Sequence, residues 1–180
     1  MKPADTPTPV SLSILLRSAI RRAEAASDLA LLPHAEVTAR DEVLRVLSAA
    51  CTALEGGDIY RASRLLICLI GQPMHDTLHD TCGAWINCTV YNWLCAHSTA
   101  WAVWAGEEKA CIETPDGGTF EAPDLMAAQV LAMAPLGAAL RNQPDALSPG
   151  HIYLCRVAAT DEDGMLMPGC TRIRVDLAQA

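Results

Sequence analysis

His75, His79 and Cys82 stand four and three residues apart, the spacing that puts side chains on one side of a helix. Two imidazoles one turn apart can chelate a single cation, and zinc suits nitrogen and sulfur donors. All three cannot share it, because His75 and Cys82 are separated by about 10.5 Å of helical rise, far more than zinc bond lengths span. A metal site would therefore pair His75 with His79, or His79 with Cys82, and take further ligands from elsewhere, such as His97 or His34. Asp76 and Asp80 are placed either to accept hydrogen bonds from the imidazoles or to stabilise a helix start as first-turn acids.

Cys82 supports a second chemistry. It precedes Gly83 where a long apolar segment begins, and a helix N-terminus there would favour the thiolate. His151 follows Ser148-Pro149-Gly150 at the mouth of an expected strand and could serve as a general base brought close by the fold. Asp161 or Asp163 could orient that imidazole, and Gln72 could donate to an oxyanion. A cysteine at a helix start, a later histidine opening a strand and then a polar orienter is an order similar in arrangement to papain-like cysteine hydrolases. The resemblance implies a Cys82 nucleophile and a His151 base.

Residues 75 to 104 also hold all four tryptophans, Trp85, Trp93, Trp101 and Trp104. On one continuous helix Trp93 would be rotated about 80° from Trp85, and Trp101 about 80° again, so one side could not bury them all. An indole left outside would anchor a partner protein, since Trp is the side chain most enriched in interface hot spots. Cys88 and Cys95, seven residues apart, are expected to share an inward face.

Composition narrows the classes. The chain has 180 residues, 51% of them hydrophobic but only 4% aromatic, so alanine, leucine and valine must fill the core of a single domain. Net charge is −8, with eight basic against ten acidic residues in 1–90 and five against eleven in 91–180. No basic patch for nucleic acid is visible, only the trio Arg17, Arg21 and Arg22. The start of the chain lacks the apolar core of a signal peptide, and polar residues from Asn87 to Thr99 interrupt the most apolar stretch, against a membrane span. A cytoplasmic protein with reduced thiols is expected from eight cysteines without a CxxC pair. There is no Walker motif and no dinucleotide fingerprint, so no cofactor is expected beyond the candidate zinc.

The elements that must position these residues are legible in part. Residues 1–10 read as a flexible arm and 11–180 as one α+β domain, helical through 106 and mixed beyond. A first helix is expected from Ser11 to Leu32, ended by Pro33 and carrying Leu12, Leu16, Ala19, Ala23, Ala26 and Ala30 as a narrow seam. That seam could pack internally or join two copies as a homodimer. Glu36–Glu55 forms the second helix, with Val43, Leu47, Ala50, Cys51 and Leu54 inward. Gly56-Gly57 stops it and Asp58 caps a third helix lined by Ile59, Ala62, Leu66, Leu69 and Ile70. Cys51 and Cys68 read as small core residues. After a short helix at Met74–Thr81, one long helix is expected to run to about Gly106. A hairpin at 111–122, a helix from the Asp124 cap to Asn142 kinked at Pro135, and two strands at 151–159 and 169–177 follow. Alternation of Ile173, Val175 and Leu177 with Arg172, Arg174 and Asp176 marks a sheet with one wet face. The result is an N-terminal bundle of about four helices, then a small antiparallel sheet with one further helix.

The favoured function on these grounds is binding of another protein, as a regulator, inhibitor or immunity protein, or assembly factor, with no chemistry of its own. A cysteine hydrolase or transferase using Cys82, His151 and Asp161 is the alternative. Zinc binding through His75 and His79 is compatible with either.

Overall fold

A computed structural model describes residues 6–25, 34–71, 74–105, 110–111, 119–142, 152–160 and 166–174. Among these are six helices and five strands, an α+β arrangement with the helices mostly first.

Helix α1 spans Pro9–Ala25. Thr8 is its cap: Ser11 N donates to Thr8 Oγ1 at 3.2 Å, and Pro9 occupies the first helical position, where its missing N–H costs nothing. The expected flexible arm therefore gives up its last two residues to the helix. Helix α2 spans His34–Glu55 and α3 spans Ile59–Ile70. The turn between them follows the sequence closely. Gly57 takes a positive φ of 74°, and Asp58 accepts from Arg61 N at 3.0 Å.

Leu12, Leu16, Ala19 and Ala23 are buried in this one chain, where α1 packs on α2. As far as Ala23 the seam is thus used internally; Ala26 and Ala30 lie outside the described residues. Cys51 is buried, but Cys68 is exposed, because it continues the outer stripe of Arg61 and Arg64 on α3.

Helix α4 spans Met74–Cys82 and α5 spans Ala84–His97. The long helix expected through Gly106 stops here. Ser98 N donates to Leu94 O to end α5, and Ala100–Ala105 becomes strand β1. The remaining strands are β2 (Ala110–Cys111), β3 (Thr119–Glu121), β4 (Ile152–Thr160) and β5 (Leu166–Arg174), and helix α6 (Leu125–Asn142) lies between β3 and β4. Asp124 caps α6 by accepting from Ala127 N at 2.9 Å, and the helix continues through Pro135.

The antiparallel sheet runs β2-β1-β4-β5, with β3 also on β1. Trp104 pairs with Cys111 and Ala102 with Thr119, so two steps along β1 correspond to eight along the other side. The two short strands take the same edge of β1, and among the described residues they are not paired with each other as the expected hairpin would be; residues 112–118 lie outside the described residues. Leu154 stands opposite Ile173 in β4 and β5, and residues 175–180 of the expected last strand are likewise outside.

Strand β1 shows how the sheet is covered. Successive side chains point to opposite faces. Ala100 and Ala102 join the large core formed with α1 to α5, where small side chains let helices approach closely. Trp101 and Val103 face the other way and join Leu154, with Ala128, Ala132 and Leu136 of α6. The centre of the sheet is therefore dry on both faces; the side chains of Arg172, Arg174 and Asp176, from which a wet face was expected in the last strand, lie outside the described residues. Two register shifts in β4, between Cys155 and Val157 and between Val157 and Ala159, bring Val157 and Ala158 into the larger core.

Candidate functional site

The short α4 and the start of α5 form a helical hairpin about Gly83, whose φ of +89° few other residues adopt. A Cβ there would stand 3.3 Å from Trp85 Cδ1. His75 and His79 lie on α4, each beside its following aspartate: His75 Nδ1 donates to Asp76 Oδ1 at 3.1 Å and His79 Nδ1 to Asp80 Oδ1 at 3.3 Å. Both carboxylates thus act on the imidazoles. Across the hairpin, Asn87 Nδ2 lies 3.3 Å from His75 Nε2. Among the described residues no three His, Cys, Asp or Glu side chains converge as a metal site, so Cys82 and His97 do not complete one with the pair; the His34 side chain lies outside the description.

Cys82 is the last residue of α4, not the first of α5, and Gly83 is the cap between them. The C-terminal end of a helix carries the wrong sign of dipole to favour a thiolate. Burial pushes the thiol up, with the positive charges of Arg22 and Arg40 opposing that rise. The activated thiolate expected from the sequence is therefore not what this environment produces. His151, Asp161, Asp163 and Gln72 lie outside the described residues.

The four tryptophans part company. Trp93 is fully buried beneath α5, its ring 5.1 Å from that of His97, and its Nε1 has no hydrogen-bond partner. Burial and the nearby Arg156 charge lower the His97 pKa. Trp101 is fully buried on β1, where its Nε1 donates to Ala122 O at 3.1 Å. The Arg156 guanidinium lies 4.2 Å from the Trp101 ring centre and donates to Ser98 O. Neither indole can anchor a partner, because the break at Ser98 puts Trp101 on a strand between two layers and the inner stripe of α5 takes Trp93. Trp85 is 39% exposed on the outer stripe of α5, with Arg22 stacked 4.9 Å from its ring centre. Cys88 shares that outer stripe and is exposed, not inward as expected. The Trp104 side chain lies outside the described residues.

A larger apolar surface lies on α6, for which no site was expected from the sequence. Its inner stripe of Ala128, Ala132 and Leu136 is buried against the sheet. Its outer side carries Met126, 76% exposed, Val130, 70%, and Leu131, 48%. From Leu125 to Leu140 the helix has no charged residue, and Gln129 is its only polar side chain. A helix apolar all round is a buried helix, and that was the available signal. Among the described residues no helix is long and apolar enough to cross a membrane.

Comparison with protein-family models, with curated proteins and with solved structures finds no match for this chain.

Proposed function

We propose that the protein acts by binding another protein through the outward face of α6, with no chemistry of its own. The observation that carries this reading is the exposure of Met126, Val130 and Leu131 on a helix that is apolar on every side. Burying a side chain of this size contributes about 1.5–3 kcal/mol, so leaving three in water is a standing cost that a covering surface would recover. Contiguous exposed apolar area of this kind marks interaction sites. Trp85, with Arg22 over its ring, adds a second exposed anchor elsewhere on the chain.

The absence of charge on Leu125–Leu140 defines the partner's chemistry. Affinity would come from desolvation and shape, and the matching surface is an aliphatic stripe, such as one face of another helix. Binding should therefore persist at high salt, where exposed ion pairs are screened. The test is a photo-crosslinking residue placed at position 130. A discrete covalent adduct with one partner chain, lost when Met126 is changed to Lys, is the expected result. Adducts scattered over unrelated proteins, or none, would overturn the reading.

A further inference from the structure

Asn87 is only 8% exposed, and its Oδ1 has no hydrogen-bond partner. A buried carbonyl oxygen left unpaired costs on the order of 1–3 kcal/mol, so such an atom calls for a reason. Its amide is aimed at His75 Nε2, with Nδ2 at 3.3 Å. Each of the two histidines has Nδ1 directed to its own carboxylate, Asp76 or Asp80. That is the support given to metal-ligating imidazoles, because it fixes the tautomer that leaves the Nε2 lone pair outward. His75 and His79 stand one helical turn apart, the spacing that puts both imidazoles on the same side of α4.

Rotating the Asn87 amide by half a turn exchanges nitrogen for oxygen with little change of shape. Oδ1 would then face His75 Nε2, and with the imidazole neutral and its proton on Nδ1 these are two acceptors opposite each other, an arrangement that a metal cation between them stabilises. Two ligands of a tetrahedral ion at zinc-like bond lengths are separated by about 3.3–3.4 Å, the spacing already present between the Asn87 amide and His75. We propose that His75 Nε2, His79 Nε2 and Asn87 Oδ1 form a three-point site for a divalent transition-metal cation of the zinc type, tying α4 to α5. Two imidazoles and an amide oxygen suit zinc, cobalt or nickel better than magnesium or calcium. Water would complete the coordination. Cys82 is not a ligand, since burial keeps its thiol protonated and Arg22 and Arg40 repel a cation there.

This site is independent of the α6 surface. It is tested on the full chain without an affinity tag, titrated with zinc alone in competition with a chromophoric chelator. One zinc per chain is expected, with affinity reduced about 10- to 100-fold in His75→Ala and in His79→Ala, which change exposed side chains. Zinc should also raise the melting temperature of the parent chain, and raise that of His79→Ala by less at the same zinc concentration. His97→Gln should bind as the parent does. Substoichiometric zinc, unchanged affinity in His79→Ala, or loss of binding in His97→Gln would each overturn the site.

Discussion

The two faces of the sheet are covered in different ways. On one side, α3 and α5 bury their apolar stripes against Ala100, Ala102, Val157 and Ala158 and turn outward residues such as Arg61, Arg64 and Asn92 to solvent. On the other, α6 buries a stripe against Trp101, Val103 and Leu154 and turns outward Met126, Val130 and Leu131. Both cores are dry. The difference lies one layer out, where one side ends in a mixed surface, charged and polar but for groups such as Tyr60 and Trp85, and the other in an uncharged aliphatic one. Burial of a helix's inner stripe and completion of its outer side are thus separate properties, and only the first is needed for the chain to fold.

Substitutions can sharpen or break that contrast. Trp101→Ala should have the largest effect, about 3–5 kcal/mol of stability, because it empties the α6 side of its largest buried side chain and removes the ring under Arg156; urea unfolding measures it. Leu66→Ala should cost about 2–5 kcal/mol by the same assay, showing that the opposite core carries comparable weight. If Trp101→Ala cost less than 1 kcal/mol, the α6 layer would be an appendage and the contrast would fail. Removing the Asp58 cap as Asp58→Ala should cost about 1 kcal/mol, within reach of thermal unfolding. Val130→Ser should fall within about 0.5 kcal/mol of the parent in the isolated chain, as surface changes do, while weakening crosslinking to a partner from a photoreactive residue moved to position 131. A clear loss of stability in that variant would mean that Val130 is already covered.

The smallest effect concerns pH. His97 has its pKa lowered in the folded state from the ordinary 6.5, so protonation opposes folding. Its neutral form contributes fully above pH 6.5, and that contribution falls as acid protonates the unfolded chain first. Denaturant titrations of His97→Gln should show a shallower decline of stability below that pH than the parent shows.

Sequence reading succeeded where local chemistry decides the outcome. Gly56-Gly57 followed by Asp58 fixes the α2–α3 turn through a positive φ and a side-chain cap, both properties of single residues. It failed at Ala100–Ala105. A central strand buried on both faces reads as an unbroken apolar run, which cannot be told from the continuation of a buried helix. The alternation of Ala100, Trp101, Ala102 and Val103 is a two-residue period whose small members face helices and whose large ones face α6. Once Ser98 ends α5, Trp101 acquires neighbours from β3 and β4 far along the chain and is sealed in, so of the indoles with described side chains only Trp85 stays outside. The Asp76 and Asp80 contacts with the histidines followed from adjacency, whereas Asn87 was counted only as an interruption of an apolar stretch. Its place opposite His75 depends on the Gly83 turn, which sequence spacing alone does not reveal.

The pairing of β1 with β4 has a consequence for the protein's birth. Helices α1 and α2 meet their neighbours within a short stretch of chain, but Trp101 waits for Arg156 before its strand is sealed on that edge. Until the ribosome has delivered β4, the uncharged hexapeptide AWAVWA stays open to pairing with any similar segment, the composition that seeds cross-chain association. A message truncated between the codons for Asn142 and Ile152 would yield a helical half able to collapse and a sticky ribbon paired on one edge alone, prone to inclusion bodies.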